Sequence, residues 1–500
     1  MEINFESLST TAYRESFHQI KRVQASMESV VPDTQDDIGR LLSVQPALFL
    51  KEKSQTERGV YICGEASASI LYINELENAV SALHLSQSFT LEYELADPSQ
   101  ELFPQIRLSV SHSEAHILNP RKLSVTVEIT GELNGYQRGS VQTETIPPVE
   151  TDVVIHTKCD QARVALINAV CEKTFVLNEQ FPFPAGKPQP KELLTQNLSF
   201  EITSRQLIGS KVLVKGRVCL TVCYASEELS CPLTEEFSSA FSQLIDIGQE
   251  YMDVCSIDME PTSAWVSLID TMNGEKALDA EIHALIQIVS RCEQDIRYVS
   301  DAYSNLMSSE LEREELSYSI VTEPRRLGLN ADEVLELPED CSDVLLVLPS
   351  LTGGSLTQDR AAASLVLDVL YRTQSGTLSC IRRLLNLETD CSTEGERLLS
   401  MRLADSYFRP EQRQLSVRAG VEFTIENHGE NAFSSVIGVT LDESSPYNFA
   451  AFPTITAVRA EEEGLWELAR KYHSSPERIL AMNEVDGEPR GKLLLIPKSI

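Results

Sequence analysis

The sequence predicts a mainly β chain, with three repeated β-rich, sandwich-like units followed by a small β-α-α-β module. Three observations carry this reading. A strand that runs into a tyrosine recurs about every 150 residues, the size of a domain. Long segments alternate apolar and polar residues with period two. Residues 451–500 switch to helical spacing between two short apolar runs.

The repeat is anchored on three segments. Gly59–Leu71 reads GVYICGEASASIL before Tyr72, Ser210–Cys223 reads SKVLVKGRVCLTVC before Tyr224, and Arg360–Leu370 reads RAAASLVLDVL before Tyr371. Gly64 and Gly216 each stand eight residues before their tyrosine, and Ala363 takes that place in the third copy. Upstream of each anchor is a proline with a polar turn and an apolar pair: Pro32–Ile38, Pro188–Leu193 and Pro338–Val344. Downstream lie the cleanest strands. Leu123, Val125, Val127 and Ile129 share one face, opposite Ser124, Thr126, Glu128 and Thr130. Leu415, Val417, Ala419, Val421, Phe423 and Ile425 repeat this in the third copy, and Ile282, Ala284, Ile286 and Ile288 do so in the second. Period two with a polar outer face marks half-buried antiparallel strands. The resulting units are 1–149, 150–295 and 317–446. Residues 296–316, charged and poor in β-branched residues, read as a helical connector.

The module, 447–500, begins with PTITAVRA as a strand. Gly464–Tyr472 follows as a helix, then a second helix with Ser475 as N-cap and Pro476 at its first position, and Lys492–Pro497 closes as a strand. Leu465, Trp466, Leu468, Ala469, Ile479, Leu480, Met482 and Ile496 supply its small core.

Composition narrows the function. The chain holds 42 Lys+Arg against 75 Asp+Glu, a net charge of −33, which repels phosphate backbones and anionic lipid surfaces and so disfavours nucleic-acid and peripheral-membrane partners. From residue 451 onward there are seven Lys/Arg and eight Asp/Glu, so the acidity belongs to the repeats. The first residues show neither the basic nor the apolar region of a secretory signal, and no run reaches the length of a spanning helix. Eleven scattered cysteines, an odd number without a Cys-x-x-Cys pair, read as reduced core residues and place the chain in the cytosol.

No enzyme signature is present. There is no phosphate-cradling glycine loop, nucleophile elbow or His-Glu-x-x-His pair, and Leu351–Ser355 (LTGGS) is a glycine turn without a lysine. His112 and His116 lie four apart in a strand, but no second pair supports a metal site. Cys219 and Cys223 share a parity opposite to Val218, Leu220 and Val222, with nothing basic placed to activate a thiolate. No cofactor is expected. Selective labelling of one hyper-reactive cysteine would argue for an enzyme hidden in the repeats.

The module resembles a LysM domain through Leu465-Trp466-x-Leu468-Ala469-x-x-Tyr472, Ile479-Leu480-x-x-Asn483 and Gly491–Pro497. Where that family carries a Gly-Asp-Thr type turn that helps hold N-acetylglucosamine chains, this sequence has Glu461-Glu-Glu-Gly464. The repeats look like the SPOCS repeat of spore-coat proteins, and the order of three repeats and a terminal LysM resembles the SPOCS–LysM spore-coat morphogenetic family. The resemblance implies a non-enzymatic scaffold in the mother-cell cytoplasm at the forespore surface. Its LysM would dock onto the ATPase-type protein of the coat basement layer while the repeats recruit other coat proteins or self-associate. Glu461, Glu462, Glu463, Gly464, Tyr472 and Asn483 are the candidate partner-binding residues, with Trp466 assigned to core packing. The alternative is peptidoglycan binding through the LysM.

Overall fold

The computed structural model describes the chain except residues 77, 98–100, 149–153, 230, 273, 322, 394, 405, 412, 449, 451–452, 461–462, 484–490 and 499–500. A short β1 (Glu2–Asn4) precedes the first unit, which comprises β2 (Glu6–Val30), β3 (Ile38–Thr56), β4 (Gly59–Asn74), β5 (Val80–Glu94), β6 (Phe103–Asn119) and β7 (Lys122–Ile146). The second unit comprises β8 (Ile155–Pro182), β9 (Pro190–Ile208), β10 (Lys211–Ser226), β11 (Leu233–Asp246), β12 (Val254–Asp270) and β13 (Lys276–Ser304). In the third unit the opening strand is split into β14 (Met307–Val321) and β15 (Arg325–Glu336). It continues with β16 (Cys341–Leu356), β17 (Arg360–Thr373), β18 (Leu378–Asp390), β19 (Glu396–Leu403), β20 (Tyr407–Glu411) and β21 (Gln414–Pro446).

Each unit is a two-layer sandwich. An antiparallel meander (β3-β4-β5, β9-β10-β11, β16-β17-β18) lies on a second layer whose central strand is the last of the unit (β7, β13 or β21). The period-two faces fill the space between layers: Leu123, Val125, Val127 and Ile129, like Leu415–Ile425 at alternate positions, are fully buried. Each layer is thus a half-buried sheet, which is what alternation encodes.

Two of the recurring tyrosines hold the corner before the meander. Buried Tyr72 donates its hydroxyl to Gln35 Oε1 at 3.2 Å, and buried Tyr224 donates to the carbonyl of Pro188 at 3.3 Å. The corner itself is a tight turn after an apolar residue: Gln35 N–H to Pro32 O, Lys187 N–H to Pro184 O and Cys341 N–H to Pro338 O. In the second unit, Pro184 rather than Pro188 is therefore the counterpart of Pro32 and Pro338. A Pro-x-Pro-x-x-x-Pro run offers several prolines to one spacing, and the turn bond singles out the first inside the corner.

The helical connector expected at 296–316 is not formed. β13 continues to Ser304 and β14 starts at Met307. Residues Cys292–Ser304 pair antiparallel with Leu166–Ile155 of β8. Exposed Glu293, Asp295 and Arg297 alternate with half-buried Cys292 and buried Ile296, so the segment has strand period. Its outward charges mimic the composition of a surface helix. The Leu351–Ser355 glycines form no turn either; they make a bulge in β16, with Gly353 at φ +72° and the register slipping between Thr352 and Gly354.

The three sandwiches share a further apolar core. Leu71 and Ile73 meet Leu194 and Cys223 of the second unit and Leu348 and Leu370 of the third. β1 closes the set by pairing with β21, Glu2 opposite Thr440, on the side of β21 away from β14. Among the described residues no helix is long and apolar enough to cross a membrane.

The C-terminal module is β-α-α-β: β22 (Ile455–Arg459), α1 (Leu465–Lys471), α2 (Pro476–Asn483) and β23 (Leu493–Pro497), the two strands antiparallel. Ser475 Oγ accepts from Arg478 N–H at 3.3 Å, capping α2 as its sequence position requires.

Candidate functional site

The module core is built on Leu468, Ala469, Ile479, Leu494 and Ile496, all buried, with Leu465 and Tyr472 packed against them. Leu480 is half-buried and Met482 is exposed, so Met482 contributes no core. Trp466 packs against this core as well and also reaches beyond it. Its Nε1 donates to Asp301 Oδ2 at 2.8 Å, and its ring meets Tyr303 edge-on with centroids 4.9 Å apart. Arg470 binds the same carboxylate at 3.0 Å. The Tyr303 hydroxyl donates to the Ser474 carbonyl at 2.8 Å, inside the turn between the helices, where His473 adopts a left-handed φ of 53° and its ring lies tilted against Tyr447, centroids 4.2 Å apart. Asp301 and Tyr303 belong to β13, so the module is seated on the end of the second repeat.

Of the candidate partner-binding residues, Glu461 and Glu462 lie outside the described residues. Glu463 pairs with Lys471 at 2.6 Å, and Gly464 precedes α1, its N–H donating to Glu467 at 3.2 Å. Tyr472 is half-buried with the Lys471 ammonium 5.8 Å from its ring. Asn483 is a structural tie: its amide donates to the Leu495 carbonyl and its carbonyl accepts from Leu495 N–H, each at 2.7 Å, pinning α2 to β23.

Replacing Asp301 with alanine is expected to remove the charge-assisted bonds to Trp466 and Arg470, each worth about 1.5–3 kcal/mol, together with the ion pair to Arg313. In a Trp265→Phe background, where Trp466 is the sole indole, emission should shift to longer wavelength and amide exchange in α1 should quicken. Unchanged emission and exchange would show that the seat does not depend on Asp301.

A second concentration of polar groups lies where the three repeats meet. Arg107 of the first unit pairs with Asp258 of the second at 2.8 Å. Arg291 of the second pairs with Glu426 of the third at 3.3 Å. Arg397 of the third pairs with Glu15 of the first at 2.7 Å. The ion pairs thus run around the ring, one from each unit to the next. Arg291 and Glu426 are each 2 % exposed, and Ser256 bonds both. Sequence reading missed all of these, because an outward charge on a period-two strand signals solvent and nothing local says that a neighbouring repeat covers it.

Beside this ring, Glu260 is buried and accepts from Leu108 N–H at 3.2 Å. Burial lifts its carboxyl to about 8, against the pull of that bond and of Arg107 and Lys53. Burial also depresses the Lys53 ammonium, which binds Glu172 and Gln287. Because Glu260 holds its proton more tightly when folded, the associated stability is complete below its ordinary 4.5 and is lost as pH rises through about 8. Glu260→Gln keeps the acceptor and removes the titration, so urea unfolding should weaken less between those limits than in the native chain. An identical pH profile would refute this.

The other sequence candidates form no site. His112 and His116 both face Glu114, at 3.6 and 3.5 Å, on an exposed strand surface. Among the described residues no group of three His, Cys, Asp or Glu could hold a metal. Burial raises the Cys219 thiol and pushes Cys223 up to about 12, the opposite of nucleophile activation. Family models, curated proteins and solved structures provide no match to this chain, so a functional reading rests on the module, its seat and the fused repeats themselves.

Proposed function

We propose that the chain is a non-enzymatic scaffold of spore-coat assembly, acting at the forespore surface in the mother-cell cytoplasm. The LysM-like module docks onto a coat basement-layer protein of the ATPase type, and the three SPOCS-like repeats recruit other coat proteins or self-associate. The observation that carries this is the seat of the module. Asp301 and Tyr303 fix Trp466, Arg470 and Ser474, so the module is held on the end of the second repeat, with Ile455, Leu493 and Leu495 of its sheet exposed. A fixed display joins two binding functions at a set distance, and the second contact then gains from effective concentration.

Removing residues 447–500 from a fluorescently tagged chain is expected to abolish its recruitment to the forespore in sporulating cells, and unchanged recruitment would defeat the reading. The rival role, peptidoglycan binding through the module, expects the intact chain to sediment with purified sacculi and recruitment to follow the wall instead of a protein.

A further inference from the structure

Resting on the docking role above, we propose that the module takes its protein partner by strand addition at the outer edge of β22. The added segment would be extended, apolar at alternate positions, and acidic at the end that reaches Arg459 and Lys492.

The hydrogen-bond phase of the small sheet defines the edge. Ala460 N–H donates to the Lys492 carbonyl and Lys498 N–H to the Thr454 carbonyl. With Ile455 opposite Pro497 and Ala457 opposite Leu495, the even-numbered residues of β22 carry the bonds to β23. The N–H and C=O groups of Ile455, Ala457 and Arg459 therefore point away from β23. The other edge of the sheet is closed, since Asn483 satisfies both backbone groups of Leu495 and Pro497 has no N–H to offer. Among the described residues the β22 edge has no such cover, and an uncovered edge is a template for another strand.

The side chains supply selectivity. Ile455, Leu493 and Leu495 are 46 %, 67 % and 41 % exposed on the face turned from the helices. Ala457, opposite Leu495, leaves a low point across which long apolar side chains of an added strand reach Leu495. At one end Arg459 stands opposite Leu493 beside Lys492, and neither makes an ion pair among the described residues. Together they make the Arg459 end of the edge cationic in a chain whose net charge is −33. They favour a carboxylate and repel a basic segment.

The test uses the full-length chain, panned against a phage-displayed library of random linear peptides. Enriched peptides should alternate apolar and polar residues and carry Asp or Glu at one end. Ala457→Pro removes only an outward N–H, a position where an edge strand tolerates proline, and should weaken the best peptide at least about tenfold with unchanged melting. Arg459→Glu should weaken it by a similar factor, about 1.4 kcal/mol, and decides the matter should the proline variant unfold. Enrichment of basic or helix-forming peptides, no enrichment, or full affinity in Arg459→Glu would overturn the proposal. Forespore recruitment separates the two claims: if deleting 447–500 abolishes it while Ala457→Pro and Arg459→Glu leave it intact, docking stands and strand addition falls, and if the deletion has no effect the docking role itself fails.

Discussion

Replacing Glu426 with alanine is expected to destabilise the protein by about 3–5 kcal/mol, the cost of leaving a buried charge without its partner. Arg291 is almost wholly enclosed, and its donors within reach go to Glu426 at 3.3 Å and Ser256 at 2.8 Å. Its Nε already lacks a partner among the described residues, so the site has no spare acceptor to take over. Removing both charges is a different case. Arg291→Met with Glu426→Leu abolishes the desolvated charges together and should recover most of the loss, since apolar replacements of such pairs are often neutral or stabilising. Urea unfolding, with amide exchange in β13 and β21 as a local reading, measures both variants. A loss below about 1 kcal/mol in Glu426→Ala, the range of exposed pairs, would mean that water reaches the junction and that the ring of ion pairs does not bind the repeats together.

That ring also marks the boundary of what single-sequence reading reached. The sandwiches were legible because burial between two layers of one unit writes a local period: Val125 and Val127 are apolar because β3 to β5 lie over them. The βααβ module was legible for the same reason, down to the cap at Ser475. Contacts between units leave no such period. Arg107, Asp258, Glu426 and Arg397 sit on the outer faces of their own sheets, where charge is expected, and only the assembly covers them. The same blindness hid the second role of Trp466, which packs on the module core while its indole serves an acid 165 residues away, and turned the charged end of β13 into an apparent helix. Within residues 292–304, Glu293, Asp295 and Arg297 are exposed while Ile296, Val299 and Ala302 are buried. Of the expected partner-binding set, Asn483 proved to be a clasp, and the open backbone of β22 carried no side-chain signature at all.

The glycine of the repeat leads to the second large effect. Gly64→Ala is expected to cost about 2–3 kcal/mol, in the range of overpacked cores. An added Cβ would sit 2.4 Å from Cζ of Phe89 and 2.9 Å from the Phe49 carbonyl, and Phe89 is the residue directly across on β5. The second unit repeats the arrangement, with Gly216 across from Phe241. The third unit departs in both members at once, Ala363 facing Leu387. The smaller leucine leaves room for the methyl, and the aromatic volume comes from the facing layer, where buried Phe423 lies over Gly354 of β16, 3.1 Å from where a Cβ would be. The glycine has moved to the neighbouring meander strand, opposite Ala363, and the ring to the facing layer. The pair should therefore be energetically coupled: Gly64→Ala combined with Phe89→Leu ought to be more stable than the sum of the single changes by at least about 1 kcal/mol, a coupling typical of residues in contact. Additive losses would mean that the backbone, not the ring, sets the limit at this position. Gly216 separates the two causes. There the Glu201 carbonyl stands 2.4 Å from the added Cβ, as close as the ring of Phe241 at 2.5 Å. A backbone oxygen held in the β9–β10 ladder cannot retreat as a ring can, so Gly216→Ala should cost more than Gly64→Ala and Phe241→Leu should rescue it less.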